Sequence, residues 1–154
     1  MTLHFAYGSN MSRAAMAARC PGAVALGVAT LAGWRFVINP DGYGSIAPHR
    51  GGVVHGVLWR LTPRDLAAVN AYEDVEGGLY LRRMLAVAFR ARPISALVYV
   101  ARRQGKGTPR PGYVRLVVEA ARDWRLPEPY IRSLQQWSPA GSIGARGKEP
   151  GEVA

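Results

Sequence analysis

At 154 residues, with a formal net charge of +10 and a single cysteine, the chain is sized for one domain with a real core and cannot form an internal disulfide. Hydrophobic residues make up 49%, ordinary for a folded protein, and no apolar run approaches the roughly 20 residues that a bilayer span requires. The opening residues, MTLHFAYGSN, lack a basic stretch followed by an apolar one, which argues against a secretory signal. The lone thiol, Cys20, fits a reducing compartment, so a cytoplasmic location is expected.

LHFAY (3–7) alternates as a strand and stops at Gly8. Ser12 caps a short helix, RAAMAARC, which Pro21 and Gly22 end. Two strands are predicted next, AVALGVATLAG and WRFVINP, followed by a turn at Pro40, Asp41 and Gly42. YGSIAPHR and VVHGVLWRL read as two more strands, separated by Gly51 and Gly52. A helix then starts with Thr62 as cap, Pro63 in the first turn and Asp65 three residues after the cap, and runs through DLAAVNAYE. LYLRRMLAVAFRA and ISALVYVA are strands, with the turn placed at Arg92 and Pro93. Residues 102–112 form a basic loop rich in Gly and Pro.

Two helices close the domain. Tyr113, Leu116, Val117, Ala120, Ala121 and Trp124 share one face of the first; Tyr130, Ile131, Leu134 and Trp137 share one face of the second. From Ser138 the sequence has no periodicity. The expected organisation is therefore a domain over 1–137 and an irregular C-terminal tail over 138–154. Strands early and helices late predict an α+β fold, a small curved mixed sheet or barrel flanked by short helices.

The basic charge raises the question of nucleic acid. It is carried almost wholly by arginine, which with alanine and glycine has GC-rich codons, so genome composition accounts for much of it. The residues are scattered, with Arg82-Arg83 and Arg102-Arg103 as the close pairs, and no interleaved aromatic and basic stripe is present. A nucleic-acid-binding domain is accordingly the weakest alternative. His49 and His55 lack a Cys or acid partner in sequence, so no metal site is expected.

Three of the ten acids, Glu73, Asp74 and Glu76, crowd into NAYEDVEGGLY. Leu66, Val69 and Glu73 fall at i, i+3 and i+7, so Glu73 continues the inward stripe of its helix, whereas Asp74 points about 100° away. Glu76 lies beyond the helix end, and both it and Asp74 are expected in solvent. A buried carboxylate near a helix C-terminus is pushed toward a higher pKa and suited to carrying a proton. A buried salt bridge to one of the arginines is an equal alternative on this helix alone. The other candidate is YGSN (7–10): Gly8 allows a tight turn, and the backbone N–H groups that follow can hold a carboxylate or an oxyanion. It is not a serine-hydrolase elbow, because no suitably placed acid and histidine support Ser9 as a nucleophile.

Together these segments resemble the γ-glutamylcyclotransferase family, which includes the AIG2-like proteins. FAYGSNM (5–11) looks like the family's opening strand and substrate loop, and GVLWRL (56–61) with the helix ending at Tyr72 and Glu73 like its strand and catalytic helix. Gly78-Leu79-Tyr80 matches the triplet after the catalytic glutamate, and Tyr99 and Tyr113 match two tyrosines at similar spacing. YVRLVVEAARDWRLPEPYIRSL looks like the closing helix pair, so the resemblance covers roughly residues 1–137. Two positions depart from the pattern: Asp74, where glycine is common, and Trp124-Arg125, where the family often has glycine. The first is expected to reshape the pocket edge and the second to affect packing.

The resemblance implies a small-molecule γ-glutamyl substrate whose own α-amine attacks its γ-carbonyl, closing 5-oxoproline and releasing an amine. It implies Glu73 as general acid and base, the backbone at Tyr7, Gly8, Ser9 and Asn10 as holder of the glutamyl end, and Tyr80, Tyr99 and Tyr113 as cavity walls. For each tyrosine, and most of all Tyr99, plain core packing stays open. No cofactor, metal or membrane partner is implied, and monomer and homodimer are both compatible. A non-catalytic binding member of the same fold is the principal rival.

Overall fold

In the computed structural model, which describes residues 1–138, five strands close into a barrel. They are β1 (Thr2–Ala6), β2 (Val24–Ile38), β3 (Gly44–Leu61), β4 (Tyr80–Phe89) and β5 (Arg92–Ala101). Their order around the barrel is β1-β3-β2-β4-β5, and a parallel contact, His4 opposite Leu97, seals β5 to β1. Every other neighbouring pair is antiparallel. Helices α1 (Arg13–Arg19), α2 (Pro63–Tyr72), α3 (Tyr113–Asp123) and α4 (Glu128–Gln135) complete the mixed α+β architecture expected from the sequence. The tail proposed for 138–154 lies, after Ser138, outside the described residues. Among the described residues no helix is long and apolar enough to cross a membrane.

Two strand predictions need correction. The pairs expected on either side of Gly33-Trp34 and of Gly51-Gly52 are each one continuous strand, β2 and β3. The two run together as a long ribbon whose pairing jumps from Ala32↔Val53 to Trp34↔Pro48. Gly33 (φ 85°) and Gly51 (φ 80°) sit in that irregularity, in the left-handed region open to glycine. The glycines therefore bend the ribbon around the barrel rather than end it. The β4–β5 reversal falls at Arg90 and Ala91, both with positive φ (51° and 62°), while Pro93 pairs within β5 opposite Ala88. Positive φ at both central residues gives the twist a tight hairpin needs, and here two residues without turn signatures adopt it.

The core lies inside the barrel and beneath α3, whose Tyr113, Val117, Ala120 and Ala121 are buried as the periodicity predicts, while Leu116 and Trp124 are half-buried and Val114, outside the predicted stripe, is buried too. The wall nearest the site is tight at Gly56. A Cβ there would stand 2.3 Å from the Ala6 carbonyl oxygen and within 2.9 Å of the Phe5 ring. Gly56→Ala is therefore expected to destabilise the fold by about 1–3 kcal/mol, as overpacking of a filled core does, read as a lower urea midpoint at unchanged slope.

Candidate active site

Helix α2 aims its C-cap residue, Glu73, inward because its start is fixed. Thr62 Oγ1 accepts from Asp65 N at 3.1 Å and Asp65 Oδ2 accepts from Thr62 N at 3.2 Å, a complete capping box. From that origin Val69 and Glu73 fall on the buried face, with Glu73 as the C-cap and only 1% exposed. Asp74 and Glu76 are exposed. Asp74 turns the chain away at φ 50°, and its carboxylate accepts from Gly77 N at 3.1 Å.

The YGSN loop meets Glu73 directly. After β1 the chain makes a 3-10 turn, Ser9–Met11, with Ser9 and Asn10 buried. Asn10 Nδ2 donates to Glu73 Oε1 at 3.2 Å. Arg19 Nη1 donates to Asn10 Oδ1, which fixes the amide with its NH₂ toward the carboxylate. The Arg19 guanidinium lies 3.3 Å over the ring of Tyr72, whose hydroxyl is 3.1 Å from Ser9 Oγ. Arginine and carboxylate are thus joined through the Asn10 amide. Trp124 Nε1 donates to Met11 O at 2.7 Å, so the end of α3 braces the same turn.

Four tyrosines surround this arrangement. Tyr7 donates to the Tyr99 carbonyl, Tyr99 to Asn70 Oδ1 at 2.6 Å, and Tyr80 to the Gly44 carbonyl at 2.6 Å. The Tyr113 hydroxyl is within reach of the backbone of Gly44 and Ser9. Burial holds all four phenols above their ordinary pKa, and the negative charge of Glu73 acts in the same direction. They are protonated donors at any physiological pH.

His4, Tyr7, Gly8, Asn10, Glu73 and Tyr99 line a cavity of about 10 Å³, room for about one water molecule. His4 was not among the residues singled out in the sequence, yet it is 2% exposed and faces this space. Its Nδ1 is paired with Leu97 O at 3.0 Å, which fixes the neutral ring with its proton on Nδ1. Nε2 is left as an acceptor without a hydrogen-bond partner among the described residues. Burial lowers the His4 pKa to about 4. By contrast His49 is exposed, and His55 stacks against Tyr130 at 4.7 Å. Cys20 is a packed side chain whose Sγ donates to Asp65 O at 3.6 Å.

A family model described as gamma-glutamyl cyclotransferase, AIG2-like, matches residues 4–126. The chain belongs to that family. Among curated proteins it is 28% identical over 148 residues to a gamma-glutamylcyclotransferase of Bos taurus and 26% identical over 148 residues to one of Mus musculus. Both alignments cover 89% of this chain and 79% of the relative. A solved structure of a gamma-glutamyl cyclotransferase superposes with a TM-score of 0.85 at 25% identity, covering 98% of this chain and 94% of the other. These relatives indicate an enzyme of the cyclotransferase type. Asp74 stands at a left-handed backbone position (φ 50°), which glycine adopts freely and Asp tolerates better than most residues. Its carboxylate caps the turn by accepting from Gly77 N. Arg125 is likewise left-handed (φ 56°).

Proposed function

We propose that this protein releases 5-oxoproline and a free amine from a γ-glutamyl amine or γ-glutamyl amino acid. The observation that carries this reading is Glu73: a carboxylate 1% exposed, hydrogen-bonded by Asn10 of the loop that follows β1. The α-ammonium of the substrate gives a proton to Glu73, and the freed nitrogen attacks the γ-carbonyl carbon. A lactam C–N bond forms, the C–N bond to the leaving amine breaks, and Glu73 returns its proton to the departing nitrogen; the second proton shed by the attacking nitrogen ends there too, so the amine leaves as an ammonium ion. No enzyme nucleophile takes part. The protein supplies orientation, worth effective molarities of about 10⁵–10⁸ M in intramolecular reactions.

In this assignment residues 7–10 hold the glutamyl end, and Tyr80, whose hydroxyl donates to the Gly44 carbonyl, and Tyr113 wall the reacting face. Tyr99 acts through Asn70 on the last turns of α2 and so supports the position of Glu73. The cavity beside Glu73 is smaller than a glutamyl group, so the side chains around it move apart when substrate enters.

Incubation with a panel of γ-glutamyl amino acids and γ-glutamyl amines, followed by measurement of 5-oxoproline, tests the proposal. A protein that binds members of the panel and forms no lactam from any of them is a binding member of the fold. Asn10→Ala removes the donor that orients Glu73. Loss of a hydrogen bond to a charged group predicts a fall in kcat/KM of about 10- to 100-fold, with the thermal midpoint measured alongside to separate loss of fold from loss of orientation.

A further inference from the structure

Nε2 of His4 is a buried acceptor beside Glu73 that the proton transfers do not involve. The residue is 2% exposed, and its ring meets Tyr99 edge-on at 5.2 Å between centroids while Nδ1 is bound to Leu97 O at 3.0 Å. The bond to a carbonyl places the proton on Nδ1, and burial keeps the ring neutral. Nε2 is thereby a lone pair without a hydrogen-bond partner among the described residues, on a ring that lines the Glu73 cavity. A buried acceptor in that state carries a desolvation cost that a bound donor removes.

The other side chains of the wall decide which donor fits. The Tyr7 hydroxyl already donates to Tyr99 O, that of Tyr99 to Asn70 Oδ1 at 2.6 Å, and Asn10 Nδ2 to Glu73 Oε1 at 3.2 Å. The acceptors that the side chains bring to the space are a carboxylate and an imidazole lone pair. No lysine or arginine among the described residues lines it. At about 10 Å³ it takes a single small head group and no carbon chain. A primary ammonium is about the size of a water molecule, carries positive charge and has three N–H donors, so it matches the space in size, charge and hydrogen bonding.

We propose that His4 Nε2 accepts a hydrogen bond from the α-ammonium of the substrate, so that the nucleophilic nitrogen is held between two side chains, His4 and Glu73, before it attacks. The proposal rests on the cyclisation reading of Glu73 and adds to it the residue that orients the nucleophile. Once Glu73 has taken its proton, the hydrogen bond to His4 remains and restricts rotation about the Cα–N bond. The lone pair left behind then has a fixed direction, which is the condition for efficient intramolecular attack. His4 itself takes no proton.

Two measurements test this, both using glutarylalanine, which is γ-glutamylalanine without the α-amine. In the Glu73→Gln protein labelled with ¹⁵N at histidine, saturating γ-glutamylalanine should move the His4 Nε2 resonance, and saturating glutarylalanine should leave it in place. The same response to both ligands overturns the assignment. In the second measurement, His4→Phe keeps an aromatic ring against Tyr99 and removes the acceptor. Its kcat/KM for γ-glutamylalanine should fall about 10- to 100-fold, as loss of a hydrogen bond to a charged group does, with a rise in KM because the bound ammonium already makes the contact. The inhibition constant of glutarylalanine should be the same in both proteins. Unchanged kcat/KM, a fall in kcat alone, or equal weakening of substrate and inhibitor would each overturn the role of His4 while leaving the cyclisation reading intact. Absence of 5-oxoproline from the wild type with every γ-glutamyl substrate would instead overturn that reading, and the role of His4 with it.

Discussion

Glu73→Gln is expected to lower 5-oxoproline release by about 10²- to 10⁴-fold, the usual contribution of a positioned general acid–base group. The substitution keeps the side chain's shape and leaves a carbonyl oxygen to accept from Asn10, so the loop and the end of α2 stay joined. What disappears is a group able to take the ammonium proton and return it to the leaving nitrogen. The loss should fall on kcat more than on KM, because binding contacts are retained while proton transfer is not. Asp74→Asn and Glu76→Gln, at neighbouring exposed acids, should leave the rate unchanged and serve as controls. Full activity in Glu73→Gln would remove this residue from the chemistry, however well it is placed.

That one acid could be picked from three neighbours follows from local physics. The capping box fixes where α2 begins, and 3.6 residues per turn then decide which carboxylate points inward. The stripes of α3 and α4 were legible for the same reason. What escaped was everything decided by distant partners. Gly51-Gly52 has the signature of a chain reversal, but pairing with β2 carries β3 straight through it. Arg90-Ala91 has no turn signature, yet the ten paired positions of β4 and β5 force the reversal there. His4 looked like one more strand residue because its partner, Leu97, is 93 positions away. Arg19 was not singled out, since nothing in its spacing shows that Asn10 lies between it and Glu73.

His4 should make the fold acid-labile over a defined range. Its ring is buried, and its pKa lies at about 4, against 6.5 for an unburied histidine. Between these values the unfolded chain binds a proton that the folded chain does not, so stability rises with pH across the interval. The contribution is fully present above pH 6.5 and is lost progressively as pH falls toward 4. A shift of this size corresponds to about 3 kcal/mol at 1.36 kcal/mol per pKa unit. His4→Phe keeps an aromatic ring against Tyr99, 5.2 Å away between centroids, and removes the titration. It also loses the bond to Leu97 O, a pH-independent cost, so the informative quantity is the slope of stability against pH, not its level. Urea unfolding at intervals from pH 7 to 4 should show a steeper decline in the wild type than in His4→Phe. Because Glu73 lines the same cavity, the pair of curves repeated in a Glu73→Gln background separates the two groups: the difference in slope should persist if the histidine is its source. Parallel curves in both backgrounds would mean that His4 accepts a proton in the folded state as readily as in the unfolded one, and that the space beside Glu73 is better hydrated than its closed walls imply.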